Sequence, residues 1–469
     1  MASSRKRQAA EPDPRHESRP FFAFADNSCV SAELKTQVGA VLRRHLRAGS
    51  HLRVGLSGGI DSVVLLHVLV RGGLWPAAQL SAVHVNHGLS PNAARWAGFC
   101  KRYCQRLGVP LHVEAVRVAR GNSTEAAARA ARYAVFAAGG EPVVLAHNRD
   151  DQAETLLLQL LRGAGPRGLA AMPEMKAATG AMPVVVRPLL DVPRAAIAAY
   201  ARRHRLRWVE DESNLDQSYV RNFLRHDIMP RLLKKLPGTD LTLARAARHQ
   251  AEASALLDVL AVQDLGAGRT SGRLPLRQLA PLAPNRARNA LRYFLRVNGV
   301  AMPDADRLDE LLRQATTARN DARVCVNVGG GIELRRFRDA LYIVHALPRL
   351  ESAFELKWDG RGTLALPQLG GSLRLVRRKG AGIAAPALRA EVLTVRVRRG
   401  GESLRLRSGA RRRTVRNLLQ EAELPPWIRE RLPFLYIGNR LAAIPGLGVD
   451  AGFQAGPEQA GLLPVWTPD

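Results

Sequence analysis

The chain has 469 residues, 46% of them hydrophobic, and 70 Lys+Arg against 41 Asp+Glu give it a formal charge of +29. A chain of this length exceeds one compact core and points to roughly two to four domains; no apolar run nears the roughly 18 residues of a membrane span and no signal-like stretch opens it, so a cytoplasmic protein with no membrane partner is expected. Four cysteines, Cys29, Cys100, Cys104 and Cys325, are too few and too scattered for a disulfide framework, whereas a surplus of 29 positive charges opposes compaction and points to a polyanionic partner.

Residues 1–30 mix Ser, Arg, Pro and Glu without periodicity and are expected to form a disordered basic tail. From about residue 31 short apolar runs alternate with helical spacing. Strands are predicted at 52–56, 80–85, 111–118 and 143–146, and helices at 61–70, 93–107, 126–138 and 151–161. This alternation predicts an α/β fold, a parallel doubly wound sheet covered by helices on both faces. A Lys-Lys-Leu-Pro-Gly break near residue 236 is expected to end that domain at 31–236. Helical spacing at 241–260, 284–297 and 305–315 marks a helical module at 237–345, expected to bind RNA. Strand-like periodicity appears at 333–345 and 372–376. Residues 346–394 are read as a linker or strand region, and 395–469 as a small α+β domain with a helix at 415–424.

The most informative segment is 52–66: an apolar strand, then Ser57-Gly58-Gly59-Ile60-Asp61-Ser62, then a helix. A glycine pair at a strand-to-helix turn lets backbone amides approach an anion, and the helix N-terminus adds partial positive charge. Phosphate binding follows from that geometry. The lysine of a Walker A loop is absent, and Ser-Gly-Gly-x-Asp-Ser instead resembles the loop of the ATP pyrophosphatases, the PP-loop superfamily.

Further segments resemble the tRNA(Ile)-lysidine synthases, in the order that family shows. They are Val83-His84-Val85-Asn86-His87-Gly88-Leu89, the stretch Asn122-Ser123-Thr124-Glu125 leading to Arg129, Arg132 and Tyr133, and His147-Asn148-Arg149-Asp150-Asp151-Gln152-Ala153-Glu154-Thr155. Arg187-Pro188-Leu189-Leu190, Trp208-Val209-Glu210-Asp211 and Tyr219-Val220-Arg221-Asn222 follow, and Pro425-Pro426-Trp427-Ile428-Arg429 resembles the terminal domain. One residue stands in excess before Glu125 relative to the family pattern.

The resemblance implies an ATP-dependent ligase that adenylates the first anticodon cytidine of tRNA(Ile) at C2 and then lets L-lysine displace AMP. ATP would be held by Ser57, Gly58, Gly59, Ile60, Asp61 and Ser62, with His84 close to the nucleotide. Asp61 would orient the phosphates and is the candidate ligand of Mg2+, and Arg129 would neutralise developing charge. Asp150, Asp151 and Glu154, clustered at the start of one helix, would hold lysine, with Asp151 and Glu154 counted among the catalytic residues. Arg132 and Arg221 are candidates for tRNA contacts.

Between Arg396 and Arg416 nine arginines face one acid, Glu402. Arg396, Arg398, Arg405 and Arg407 alternate with apolar residues, so on strands they would share one face. Arg396, Arg405, Arg407 and Arg412 are therefore candidate contacts to the RNA backbone. Two rival functions are kept: another PP-loop enzyme, a tRNA thiolase, which would need reactive cysteines, and a non-catalytic RNA-binding protein. The sequence does not fix the oligomeric state, and a homodimer is left open.

Overall fold

A computed structural model describes residues 27–88, 90–117, 124–179, 182–212, 216–266, 272–317, 324–346, 350 and 354–468. The segment read as a tail lies outside the described residues up to position 26, and its last four residues open a helix. Two compact units result, residues 1–257 and 258–469. The break at 234–238 separates two helices but does not end the first unit; the division falls inside the long helix that follows.

The first unit runs α1 (Asn27–His45), β1 (Leu52–Gly55), α2 (Ile60–Val70), β2 (Leu80–Asn86), α3 (Ala93–Leu107), β3 (Leu111–Ala115), α4 (Thr124–Gly139), β4 (Val143–Val144), α5 (Arg149–Leu161), α6 (Pro166–Leu169), β5 (Met175–Lys176), β6 (Val185–Val186), α7 (Arg194–Arg203), α8 (Val220–Phe223), α9 (Met229–Lys235) and α10 (Thr239–Leu265). A π-helical stretch, Leu224–Ile228, joins α8 to α9. The sheet order is β3-β2-β1-β4-β6-β5, with only β5 antiparallel to its neighbour. The doubly wound expectation is met, and the third strand stops at Ala115, short of the predicted 118.

Strands covered on both faces need apolar residues on both, and Leu52, Val54, Val143, Val144, Val185 and Val186 are all fully buried. Helix α2 buries seven of its eleven residues, including Val63, Val64, Leu65 and Leu66. At about 1.5–3 kcal/mol per large side chain, burial ties this helix and β1 beside it into the core of the unit. The loop between them is therefore anchored at both ends. In an open parallel sheet the chain ends diverge where the strand order reverses, here between β1 and β4, and the crevice outside their carboxyl ends is where ligands bind.

The second unit opens with β7 (Arg273–Pro275), α11 (Leu276–Leu279), α12 (Pro284–Val297), α13 (Ala305–Thr317) and the strands β8 (Cys325–Gly329), β9 (Ile332–Phe337) and β10 (Ala340–His345). The helices share a core with a sheet of order β7-β10-β9-β8 around Leu291, Phe294, Leu295, Leu334 and Leu341. The expected helical module thus carries a sheet of its own.

The segment read as a linker or strand region is folded into strands, one of which, Gly371–Lys379, covers the periodicity expected at 372–376. It holds β11 (Glu355–Trp358), β12 (Thr363–Leu366), β13 (Gly371–Lys379), β14 (Ile383–Ala384) and α14 (Ala385–Ala390), followed by β15 (Leu393–Arg396), β16 (Ser403–Leu404), β17 (Arg413–Thr414), α15 (Val415–Glu421), α16 (Pro426–Arg429), β18 (Phe434–Ile437), β19 (Arg440–Ile444), β20 (Gly448–Val449) and β21 (Ala460–Pro468). Sheets of order β11-β15-β18-β19-β20 and β12-β13-β21-β14 enclose a core of Leu373, Ile383, Val395, Leu435 and Ala442. Among the described residues no helix is long and apolar enough to cross a membrane.

Candidate active site

The loop after β1 is held by its own serines. Ser57 Oγ accepts from Gly59 N at 3.2 Å, Ser62 Oγ accepts from Gly58 N at 3.2 Å and donates to Gly59 O at 2.9 Å, and the two hydroxyls lie 3.1 Å apart. Gly58 has φ +90°, and a Cβ there would meet Cys100 Sγ at 3.2 Å. Gly59 then caps α2 without any side-chain bond, leaving helix amides open. This arrangement can bind an anionic oxygen.

Across the reversal, Asn148 caps α5. Its side chain accepts from Asp151 N at 3.0 Å, Asp151 Oδ2 accepts from Asn148 N at 3.1 Å, and Asn148 Nδ2 donates to Asp61 Oδ1 at 3.1 Å. The capping box therefore ties the loop to α5. Burial, and then the neighbouring Asp151 charge, push the Asp61 carboxyl up to about 6.

Of the three carboxylates expected in one cluster, the structure joins two. Glu154, 3% exposed, and Asp151 lie under the guanidiniums of Arg221 and Arg225. Arg225 Nε reaches Glu154 Oε1 at 2.6 Å and its Nη2 reaches Asp151 Oδ1 at 2.7 Å. Arg221 bonds the same pair at 3.2 and 3.1 Å. Burial works to raise Asp151, but Arg221, His147 and Arg225 outweigh it and hold the carboxyl below the usual range. Asp150 instead turns away and accepts from Arg194 N at 2.9 Å, capping α7.

Arg221, expected on RNA, is thus engaged inward. Arg225 was missed because nothing in its local sequence separates it from a solvated helix charge. The π-helical stretch carries it, and that geometry is often found at functional sites.

His84, 5% exposed, places Nδ1 at 2.9 Å from Leu56 O. A carbonyl can only accept, so the proton sits on Nδ1 and Nε2 is the acceptor of a ring that burial keeps neutral. Arg129 is exposed on α4, with its Cζ 5.1 Å from the Tyr133 ring centroid. Arg132, half-buried on the same helix, helps burial depress His87. Cys100 and Cys104 are fully buried, and burial pushes the Cys100 thiol up to about 12.

The arginine stripe does not share one strand face. β15 ends at Arg396, and Glu402 then takes the N–H groups of Arg399 and Gly400 into a turn where Gly400 and Gly401 have positive φ. Arg396 pairs with Glu355 at 3.0 Å and covers Tyr436, and Arg412 pairs with buried Asp450 at 3.3 Å. Arg405 is half-buried with Nε unpaired, while Arg407, Arg411 and Arg416 are exposed. Trp427 is half-buried and packs edge-on against Phe337 and Tyr342, with Arg335 over its ring.

The chain matches a PP-loop domain over residues 30–232, a TilS substrate binding domain over 274–342 and a TilS substrate C-terminal domain over 393–466. It is 41% identical to a tRNA(Ile)-lysidine synthase of Nitrosomonas europaea, over 91% of this chain and 94% of that protein. Proteins of the same description from Chromobacterium violaceum and Coxiella burnetii are 44% and 38% identical, over 88% and 89% of this chain and 95% and 93% of theirs.

Proposed function

Because the chain belongs to the tRNA(Ile)-lysidine synthase family, we propose how its own residues divide that family's reaction. The chain is a ligase that joins lysine to C2 of the first anticodon cytidine of tRNA(Ile) with a CAU anticodon. It consumes ATP by way of an adenylated tRNA and yields lysidine, AMP and pyrophosphate, and the product reads AUA in place of AUG. Adenylation turns a poor leaving oxygen into a good one.

The loop Ser57, Gly58, Gly59, Ile60, Asp61 and Ser62 holds the ATP phosphates, which take the open amides at the start of α2 while the serine hydroxyls fix the Gly58 and Gly59 N–H groups. His84 Nε2, an acceptor, meets a donor group of the nucleotide. Asp61 fits as a ligand of Mg2+: its carboxyl has one hydrogen bond and a raised pKa that a cation would reverse, and Mg2+ usually takes one or two carboxylates beside phosphates and water. Mg2+ there would offset phosphate charge as pyrophosphate leaves. Arg129 supplies positive charge to the same end from α4.

Asp151 and Glu154 hold the lysine ammonium, taking it in competition with Arg221. Arg132, Arg221, Arg396, Arg405, Arg407 and Arg412 were the sequence candidates for RNA. Of these, exposed Arg407, joined by Arg411 and Arg416, is the best placed for phosphate contacts, in the cytoplasm where the tRNA is. Thiol chemistry finds no support at the site, since Cys100 and Cys104 are buried with raised pKa values.

The observation that carries this reading is the Asn148 to Asp61 hydrogen bond, which joins the phosphate loop to the helix bearing Asp151 and Glu154. The test is nucleoside mass analysis of tRNA(Ile) after incubation with the protein, ATP, Mg2+ and lysine. A lysine-sized addition to cytidine is expected, and unmodified cytidine would refute the assignment.

A further inference from the structure

Tyr133 stands one turn after Arg129 on α4. Its hydroxyl oxygen receives Arg187 Nη2 at 3.2 Å and Arg129 Nη2 at 3.4 Å. Guanidinium groups only donate, so the oxygen accepts from both and the hydroxyl proton has no acceptor among the described residues. Cations also flank the ring, with Arg129 Cζ 5.1 Å and Lys176 Nζ 5.8 Å from its centroid.

Arg187 is 2% exposed, donates from Nη1 to Pro173 O at 2.8 Å, and keeps Nε buried without a partner. A guanidinium removed from water is ordinarily matched by a carboxylate. Among the described residues none pairs with Arg187, Arg129 or Lys176, whereas Asp151 and Glu154 of α5 are taken up by Arg221 and Arg225 and Asp150 accepts from Arg194 N. Positive charge therefore stays uncompensated around Tyr133, and a free hydroxyl donor points from its midst.

We propose that Tyr133 and Arg129, held by Arg187, form a phosphoryl-binding site separate from the 57–62 loop, in which the Tyr133 hydroxyl donates to a phosphate oxygen. Arg187 is a positioning residue. It touches no ligand, but by donating to the Tyr133 oxygen it turns the hydroxyl proton outward. The site deepens the proposed function and rests on it only for the two sources of the phosphoryl group: the pyrophosphate end of ATP, or the backbone of the anticodon loop.

Tyr133→Phe keeps the ring and its cations and removes the hydroxyl alone. Calorimetric titrations of the full chain with inorganic pyrophosphate and, separately, with transcribed tRNA(Ile) read the two sources. A charge-assisted hydrogen bond predicts a loss of about tenfold or more in the arm that supplies the phosphate. Arg187→Lys should weaken the same arm, and the double variant should be no weaker than the worse single one, because both changes remove one donor. Unchanged affinity in both arms overturns the proposal, as does a loss that tracks a fall in melting temperature; additive losses overturn the positioning role. These affinities are measurable even if no lysidine forms, so this proposal and the assigned reaction fail separately.

Discussion

Asn148 and Asp61 meet at 3.1 Å across the gap between β4 and β1, and the same Asn148 side chain accepts the Asp151 backbone N–H. One amide thus closes a helix and steadies a carboxylate on the facing loop. Asn148→Ala should lose about 0.5–2 kcal/mol as a missing cap and lower the rate of pyrophosphate release as well. A rate like that of wild type in a destabilised variant would show that the bond serves folding alone.

Asp61 carries a pH signature. Its folded pKa, about 6, exceeds the 3.8 of the free side chain, so its neutral form is the one that suits the fold. The associated stability is fully present below pH 3.8, declines as pH rises and is gone above about 6. Asp61→Asn keeps the shape and abolishes that decline. The ligand-free variant should melt above wild type at pH 8, by about 3 kcal/mol at most, and with it at pH 3.5. It should also fail to release pyrophosphate from ATP and tRNA. Melting curves that differ equally at both pH values would remove burial as the cause.

Glu154→Ala deprives Arg225 of two bonds and Arg221 of one in a nearly dry setting, which should cost about 3–5 kcal/mol. Asp150→Ala, which only uncaps α7, should cost about 0.5–2 kcal/mol. Chemical denaturation ranks the two.

Lysine binding adds a test of the competition with Arg221. Arg221→Met should lower the lysine concentration that half-saturates incorporation, since it frees carboxylate oxygens, while Asp151→Ala should raise it roughly ten- to hundredfold and spare adenylation. A higher requirement in Arg221→Met would make Arg221 part of the lysine site.

Replacing exposed Arg407, Arg411 and Arg416 with Gln should flatten the salt dependence of tRNA binding, by about 0.9 of log-log slope for each lost phosphate contact in a duplex. Arg412→Gln strips an ion-pair partner from buried Asp450 and should show first as lower stability. An unchanged slope in the triple variant would leave these arginines as solvated charges.

The readable parts of the fold were those with strong local order. Helices 93–107 and 284–297 emerged with their predicted ends, because each has a clear apolar stripe and a terminating signal; Gly108, at φ +69°, stops the first. Strand β13 was legible at 372–376, whereas β11, β12 and β14 were missed because they are short and separated by Gly and Pro turns, and β11 and β14 gain their partners from β15 and β21, far along the chain. At the site, loop 57–62 was legible from its glycines. Arg225 was not, since the carboxylates that give it meaning lie 71 and 74 residues earlier. The arginine alternation misled in the same way, because the Gly400-Gly401 turn breaks the strand that the pattern assumed.

Strand β21 lies between β13 and β14, pairing Pro468 with Gly371 and Ala460 with Lys379. A ribosome making this chain must therefore synthesise some eighty to a hundred residues between one strand and its neighbour, and until β21 emerges β13 offers a bare edge lined by Arg374, Arg377 and Arg378. Those charges repel a second copy of the same edge during that wait, as lysines do on the open margins of other sheets.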